Sequence, residues 1–225
     1  MAVSSIDHQV FKSELYDSAK IIGIEISDFQ LEQLIKYLEL LIKWNKAYNL
    51  TAIRDPKEML TKHLIDSLSI APYINQGKGK EGNQKNILDV GTGPGLPGIP
   101  MSILFPQTEF LLLDSNGKKT RFLTQCKIML GLDNIQVFNG RVEEANVEIK
   151  FDQILSRAFT ALGNMVNLCA HLLADEGQFL AMKGVSPDEE ANDIPSTFEI
   201  IESISLNVPG CDEQRHLIII ERTEN

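Results

Sequence analysis

The sequence predicts an α/β fold, with a mostly parallel sheet covered by helices on both faces and a helical extension before it. Three observations lead there. From Ile87 onward short apolar runs alternate with helix-period segments, the pattern that builds parallel strands joined by helical crossovers. The first third carries its apolar residues near the 3.6 period instead. Between the two lies Asn75 to Asn86, polar, glycine-bearing and without an apolar residue from Gln76 on, which reads as a linker. The division is therefore residues 1–75 as extension, 76–86 as linker and 87–225 as the sheet domain.

Each element has a local reason. Phe29, Leu31, Leu34, Ile35, Leu38, Leu41 and Ile42 recur at helical spacing, with Ser27 as N-cap and Asp28 in the first turn. Asp55 is a good N-cap and Pro56 suits a first helical position; a second helix follows through Met59, Leu60, His63, Leu64 and Leu68, and Pro72 stops it. Ile87 to Val90 is a short buried strand, and Leu96 to Phe105 suits a helix. Glu109 to Leu113 is a second strand, and Lys118 to Leu130 a helix closed by Gly131. Ile135 to Phe138 and Phe151 to Ser156 are the third and fourth strands. Leu162 to Leu173 is helical, Gly177 to Met182 a fifth strand, and Phe198 to Leu206 and Leu217 to Glu221 two more.

Composition narrows the class. Hydrophobic residues make up 43% and charged residues 23% of 225, enough for a full core. No apolar run approaches the roughly 20 residues a membrane span needs, and the start mixes Asp7, Lys12 and Glu14 among its apolar positions, unlike a secretory signal. Cys126, Cys169 and Cys211 are widely spaced, with no CxxC pair; this fits the reducing cytosol and predicts neither disulfides nor a structural metal. A net charge of −10 sits badly with the basic footprint expected of a nucleic-acid binder. Charge is segregated, however. Lys43, Lys46, Arg54, Lys57 and Lys62 oppose only Asp55 and Glu58, and Lys118, Lys119, Arg121 and Lys127 have no acid among them. Asp188, Glu189, Glu190, Asp193, Glu199 and Glu202 crowd a stretch without Lys or Arg.

The chemistry concentrates where the first strand ends. Asp89, Gly91, Gly93, Gly95 and Gly98 form a glycine-rich turn opening the first crossover helix, where a ligand approaches backbone with no Cβ in the way. Gly93-x-Gly95-x-x-Gly98 fits a dinucleotide fingerprint in form. Asp89-x-Gly91-x-Gly93-x-Gly95 fits the S-adenosylmethionine form better, since its first glycine comes two residues after the acid, at the strand end. Asp114 ends the second strand 19 positions beyond Gly95, close to the spacing of an acid that bonds ribose hydroxyls. Backbone amides at Val142 and Glu143, after the third strand, stand where an adenine would lie; acids at a plain helix N-terminus are the competing account. Arg157 ends the fourth strand, at the mouth of the sheet, to hold a carboxylate, bond a base or make an ion pair. His63 and Asp66 lie three apart on one helix, placed to fix it against the core or to line a ligand face. Trp44 and Tyr48 are i, i+4 neighbours, for which core packing is favoured over base stacking.

These segments resemble one family. Residues 43–51 (KWNKAYNLT), 63–67 (HLIDS), the Asp89 to Pro100 loop, Leu113-Asp114-Ser115 with Lys118, Arg141 to Glu144, Ser156 to Phe159, Lys183-Gly184 and Glu213-x-Arg215-His216 are similar to the bacterial small-subunit rRNA guanine-N7 methyltransferases, also called glucose-inhibited division protein B. The likeness runs in order from about residue 30 to 222. It implies a class I S-adenosylmethionine-dependent methyltransferase, Rossmann-like with a helical N-terminal extension. The implied reaction is methyl transfer from S-adenosyl-L-methionine to N7 of one guanine near the decoding centre of 16S rRNA. Cofactor contacts are then expected at Gly91, Gly93, Gly95, Leu96, Asp114, Val142, Glu143 and Arg157. RNA contacts are expected among Lys43, Lys46, Arg54, His63, Lys118, Lys119 and Arg121. Guanine N7 carries a lone pair and no proton, so no catalytic base is expected. The partner is 16S rRNA or the small subunit, the location cytoplasmic, the protein a monomer without metal or membrane contact. Two other readings stay open on the residues alone: an NAD-dependent oxidoreductase, and a non-catalytic RNA- or ribosome-binding module.

Overall fold

The computed structural model describes residues 6–75, 85–145, 147–184 and 193–223. Most of the expected linker, and Asp188 to Glu190 of the acidic stretch, lie outside them.

Two capped helices open the chain. α1 (His8–Ile22) starts where Asp7 accepts from the Val10 amide and ends at Gly23, φ +87°. α2 (Asp28–Tyr48) begins in a capping box, Ser27 and Gln30 satisfying each other's backbone amides. Leu31, Leu34, Ile35, Leu38, Leu41 and Ile42 form its buried face. Phe29 belongs to the opposite one, 71% exposed, because two residues along a helix turn by about 200°. Asp55 caps α3 (Pro56–Met59), accepting from the Lys57 and Glu58 amides. The helix expected to run on regularly to Leu68 instead widens into a π turn, Leu60–Ile65, before α4 (Asp66–Leu68). Pro72 sits within a 3₁₀ turn, Ala71–Tyr73.

The sheet then follows. β1 (Asn86–Val90), α5 (Gly98–Leu104), β2 (Glu109–Asp114), α6 (Gly117–Leu130), β3 (Ile135–Asn139), β4 (Phe151–Arg157), α7 (Leu162–Cys169), β5 (Leu173–Lys183), β6 (Phe198–Ser205) and β7 (His216–Arg222) appear in that order. Many boundaries differ from the expected ones by a single residue, and a few differences bear on the fold. Asn86 joins β1 and not the linker; α5 starts at Gly98, after a loop that occupies Leu96 and Pro97; α7 stops at Cys169; and Leu173 opens β5. Gly131, φ +65°, closes α6 as expected.

The spatial order is β3-β2-β1-β4-β5-β7-β6. The first five strands are parallel and the last two antiparallel to their neighbours. Strand order reverses between β1 and β4, and at such a switch point the loops diverge and leave a crevice at the carboxyl edge.

Strand alternation sends side chains to two cores. Ile87, Phe110, Leu112, Leu155, Leu180 and Leu217 pack with α1, α2, α5 and α6. Leu88, Val90, Leu113, Ile154, Phe179 and Ile218 pack with α7. The N-terminal helices thus bury their apolar faces in the same core as one face of the sheet. No helix among the described residues is long and apolar enough to cross a membrane. Leu34 is fully buried in that shared core, so Leu34→Ala should cost about 2–5 kcal/mol of stability. Urea denaturation of the two proteins measures it; a loss below about 1 kcal/mol would contradict the shared core.

Candidate functional site

The glycine loop is held from three sides. Asp89, at the end of β1 and fully buried, accepts from the Thr92 hydroxyl at 2.6 Å and the Gly98 amide at 2.8 Å, both on Oδ2. Burial pushes its carboxyl up to about 7. Asp114, at the end of β2, accepts from the Gly93 amide at 2.9 Å. From below, the Tyr37 hydroxyl of α2 donates to the Pro94 carbonyl at 2.8 Å. Gly91 needs its lack of a side chain twice over: φ is +64°, and a Cβ there would stand 2.5 Å from Phe159.

Two cavities meet at the carboxyl edge. The first, about 380 Å³, is lined by Gly91, Asp114, Gly140, Val142, Glu143 and Phe159, among others; its size is that of a small-molecule site. The second, about 480 Å³, is lined by Ile53, His63, Asp66, Arg157, Lys183 and Arg215, among others. Ala158 belongs to both walls. It holds φ +53°, a region a residue with a Cβ rarely enters, and such outliers gather at functional sites.

The second cavity is built around a buried carboxylate. Asp66, 3% exposed, accepts from Arg157 Nη1 at 3.0 Å on one oxygen and from Arg215 Nε at 2.9 Å on the other. Arg157 also donates to the Lys62 carbonyl at 3.0 Å. Arg215 and Lys62 in turn both hold Glu213, at 2.7 and 2.9 Å. Their hydrogen bonds bring the Glu213 carboxyl down to about 2. His63 Nε2 shares a hydrogen bond with the Thr51 hydroxyl at 2.9 Å. Its burial, with a smaller contribution from the Arg157 charge, brings the imidazole down to about 4, so it is neutral near pH 7.

The expected site residues divide between these places. Gly91, Asp114, Val142 and Glu143 line the first cavity. Gly93 and Gly95 shape the loop beside it, a Cβ on Gly95 meeting Ile99 at 2.4 Å, and Leu96 is packed in the core. Arg157 stands in the wall of the second cavity, as does His63. Lys119 pairs with Asp114 at 3.6 Å. Lys43, Lys46, Arg54, Lys118 and Arg121 are exposed. The first three lie in or just after the end of α2, the last two at the start of α6, and Trp44 touches Phe122 (ring centres 5.7 Å apart) where these helix ends meet. Sequence reasoning assigned no role to Tyr37, Lys62 or Arg215. Arg215 finds Asp66 across 149 residues, a pairing no spacing announces. No cluster of His, Cys, Asp or Glu among the described residues could hold a metal ion.

A profile of the rRNA small subunit methyltransferase G (GidB) family matches residues 30–218. The chain belongs to that family. The ribosomal RNA small subunit methyltransferase G of Marinobacter nauticus is 51% identical over 211 residues, covering 94% of this chain and 95% of its own. Among solved structures, a SAM-dependent methyltransferase from Aquifex aeolicus aligns with a TM-score of 0.53 at 14% identity, over 74% of this chain and 93% of its own. A ribosomal protein L11 methylase from Lactobacillus delbrueckii subsp. bulgaricus does so at 0.51 and 17%, over 76% and 80%. These two show the fold: the seven-stranded sheet is that of the class I S-adenosylmethionine-dependent methyltransferases, here with helices before it. Every cavity residue named above falls inside the family match.

His63 sets a pH dependence. Its imidazole resists protonation when folded, whereas in the unfolded chain it charges near 6.5. As pH falls from about 6.5 to about 4 the unfolded state takes up this proton first, and stability drops by about 3 kcal/mol at most. Urea denaturation at pH 7 and pH 4.5 should show a smaller drop in His63→Gln than in the parent protein; equal drops would mean that His63 is accessible.

Proposed function

We propose that this protein transfers a methyl group from S-adenosyl-L-methionine to N7 of a guanine in 16S rRNA, near the decoding centre as the resemblance implies. The observation that carries the reading is the pair of cavities sharing Ala158 at the strand-order reversal, one suited to the donor and one to the acceptor. In this reading the catalytic unit is a monomer acting in the cytoplasm, where its substrate is.

The residues of the first cavity fit the donor. An ionised carboxylate offers about four acceptor positions. The Asp114 carboxylate receives two backbone amides, Gly93 on one oxygen and Asn116 on the other, so positions remain for the ribose hydroxyls. The Val142 and Glu143 backbone would hold the adenine edge, and Gly91, which has no side chain, would let the ligand come close to the main chain. Bound there, S-adenosylmethionine supplies an already activated methyl-sulfonium. Gly93, Gly95 and Leu96 act by holding the loop's shape.

The second cavity supports the acceptor side. N7 must stay unbonded to accept the methyl, so recognition falls on O6 and the rest of the base. Arg157, at the junction, has its Nη1 fixed by Asp66 and Lys62 and so presents a positioned cation. Neutral His63, tied to Thr51, is a wall and not a proton carrier. With no proton to remove, the chain's task is orientation, which in favourable cases is worth about 7–11 kcal/mol of a barrier. The exposed Lys43, Lys46 and Arg54, in or just after the end of α2, and Lys118 and Arg121, at the start of α6, are the cations offered to RNA phosphates despite the net negative charge.

Purified protein should transfer labelled methyl to hypomethylated small subunits or their rRNA; failure to do so favours a non-catalytic RNA-binding module. Calorimetry should show binding of S-adenosylmethionine and none of NAD, the reverse of what an oxidoreductase would give. Asp114→Asn and Gly91→Ala should each weaken S-adenosylmethionine binding about tenfold or more while leaving RNA binding unchanged. Unchanged cofactor affinity in both would remove the first cavity from the reading.

A further inference from the structure

At the carboxyl end of α2 the aromatic pair Trp44 and Tyr48 splits its tasks. Trp44 is partly buried, its ring 5.7 Å from Phe122 of α6. Tyr48 stacks on Trp44 at 5.2 Å, with 29° between the rings, and remains 41% exposed. The lower ring is thus anchored in the core and the upper one is offered to solvent. Lys43, Lys46 and Arg54 surround this position in the chain, all exposed. Arg54 is drawn back to the helix end by donating to the Asn49 side chain at 3.2 Å. No acid among the described residues makes an ion pair with any of the three. Asp55, beside Arg54, is committed to capping α3. The platform is also tied to the second cavity. Asn45, three residues before Tyr48, donates to the carbonyl of Ile53 at 3.0 Å, and Ile53 is part of that cavity's wall.

We propose that the exposed face of Tyr48 is a stacking platform for an unpaired RNA base next to the guanine held in the second cavity, with Lys43, Lys46 and Arg54 on the adjoining phosphates. This deepens the reading of RNA as substrate and rests on it. A rigid, pre-stacked ring costs little to order on binding, and every nucleobase has a face to lay on it. The positive surroundings select a polyanion over an apolar protein surface. Trp44 acts through Tyr48 as a positioning residue, fixing the tilt of the platform against α6.

The test is anisotropy titration of a fluorescein-labelled single-stranded RNA. Tyr48→Ala should raise its Kd about tenfold, with S-adenosylmethionine binding and thermal midpoint held near those of the parent. Tyr48→Phe, which keeps the ring and loses the hydroxyl, should restore binding to within about twofold. Tyr16 of α1 is the matched control. It is also 41% exposed, but Lys20 lies over its ring at 4.2 Å, and Tyr16→Ala should not alter RNA affinity. The proposal is overturned if Tyr48→Ala binds as tightly as the parent, if Tyr48→Phe loses as much as Tyr48→Ala, or if Tyr16→Ala loses as much. It is also overturned if the parent does not bind the RNA. If binding depends on Tyr48 but the parent methylates no small-subunit RNA, the platform stands and the methyl-transfer reading falls alone.

Discussion

The carboxylate of Asp66 is the tie on which the arrangement of the functional edge depends. A buried charge is costly unless paired and fully hydrogen-bonded. Asp66 meets that condition only because two guanidiniums, Arg157 from the end of β4 and Arg215 from the β6–β7 connection, reach it together. Three parts of the chain, 91 and 149 residues from Asp66 in the two cases, are thereby fixed in one geometry. The π turn before α4 matters here. Inserting an extra residue into a helical turn re-aims the side chains that follow. Lys62, His63 and Asp66, from that turn and the residue after it, all face the second cavity. Remove the carboxylate, and two partly buried cations would be left facing each other across it.

The first cavity rests on a different device. Its loop has little side-chain substance of its own, so rigidity is imported through backbone groups. Asp89 and Asp114 take loop amides from the strand ends, and Tyr37 takes a loop carbonyl from the helical extension. The extension is thus part of the support of the loop beside the first cavity. It is more than a cover for the sheet.

Local signals were the legible ones. The caps at Ser27 and Asp55, the stop at Gly131, the glycine spacing after β1 and the strand-helix alternation each depend on residues a few positions apart, and each is where the sequence places it. The site was readable where it depends on the strand ends, at Gly91, Asp114, Val142 and Glu143. What stayed hidden depends on distant partners. Ala174, Asp175 and Glu176 fall between the expected helix and the expected fifth strand, yet they belong to β5, partly or largely exposed on a strand whose neighbours are buried. The π turn leaves the apolar pattern of residues 59–68 intact, so periodicity does not betray it. Leu96 lies in the glycine loop, and nothing local announces that its side chain packs into the core behind it. Trp44 and Tyr48 share one helix face, and only α6 packing decides that one is covered and the other open.

The shared core of helices and sheet has a consequence for biosynthesis. Gln33 of α2 finds its hydrogen-bond partner at the Leu130 carbonyl, 97 residues later, and the apolar face of α2 packs on strands and helices still unmade when α2 leaves the ribosome. An emerging α2 therefore carries a hydrophobic stripe with only α1 available to pack against it until β1, β2 and α6 have been synthesised, a wait of several seconds at about 5–20 residues per second. An enzyme that acts on ribosomal RNA thus depends, for its own first helices, on the pace of the machine it serves.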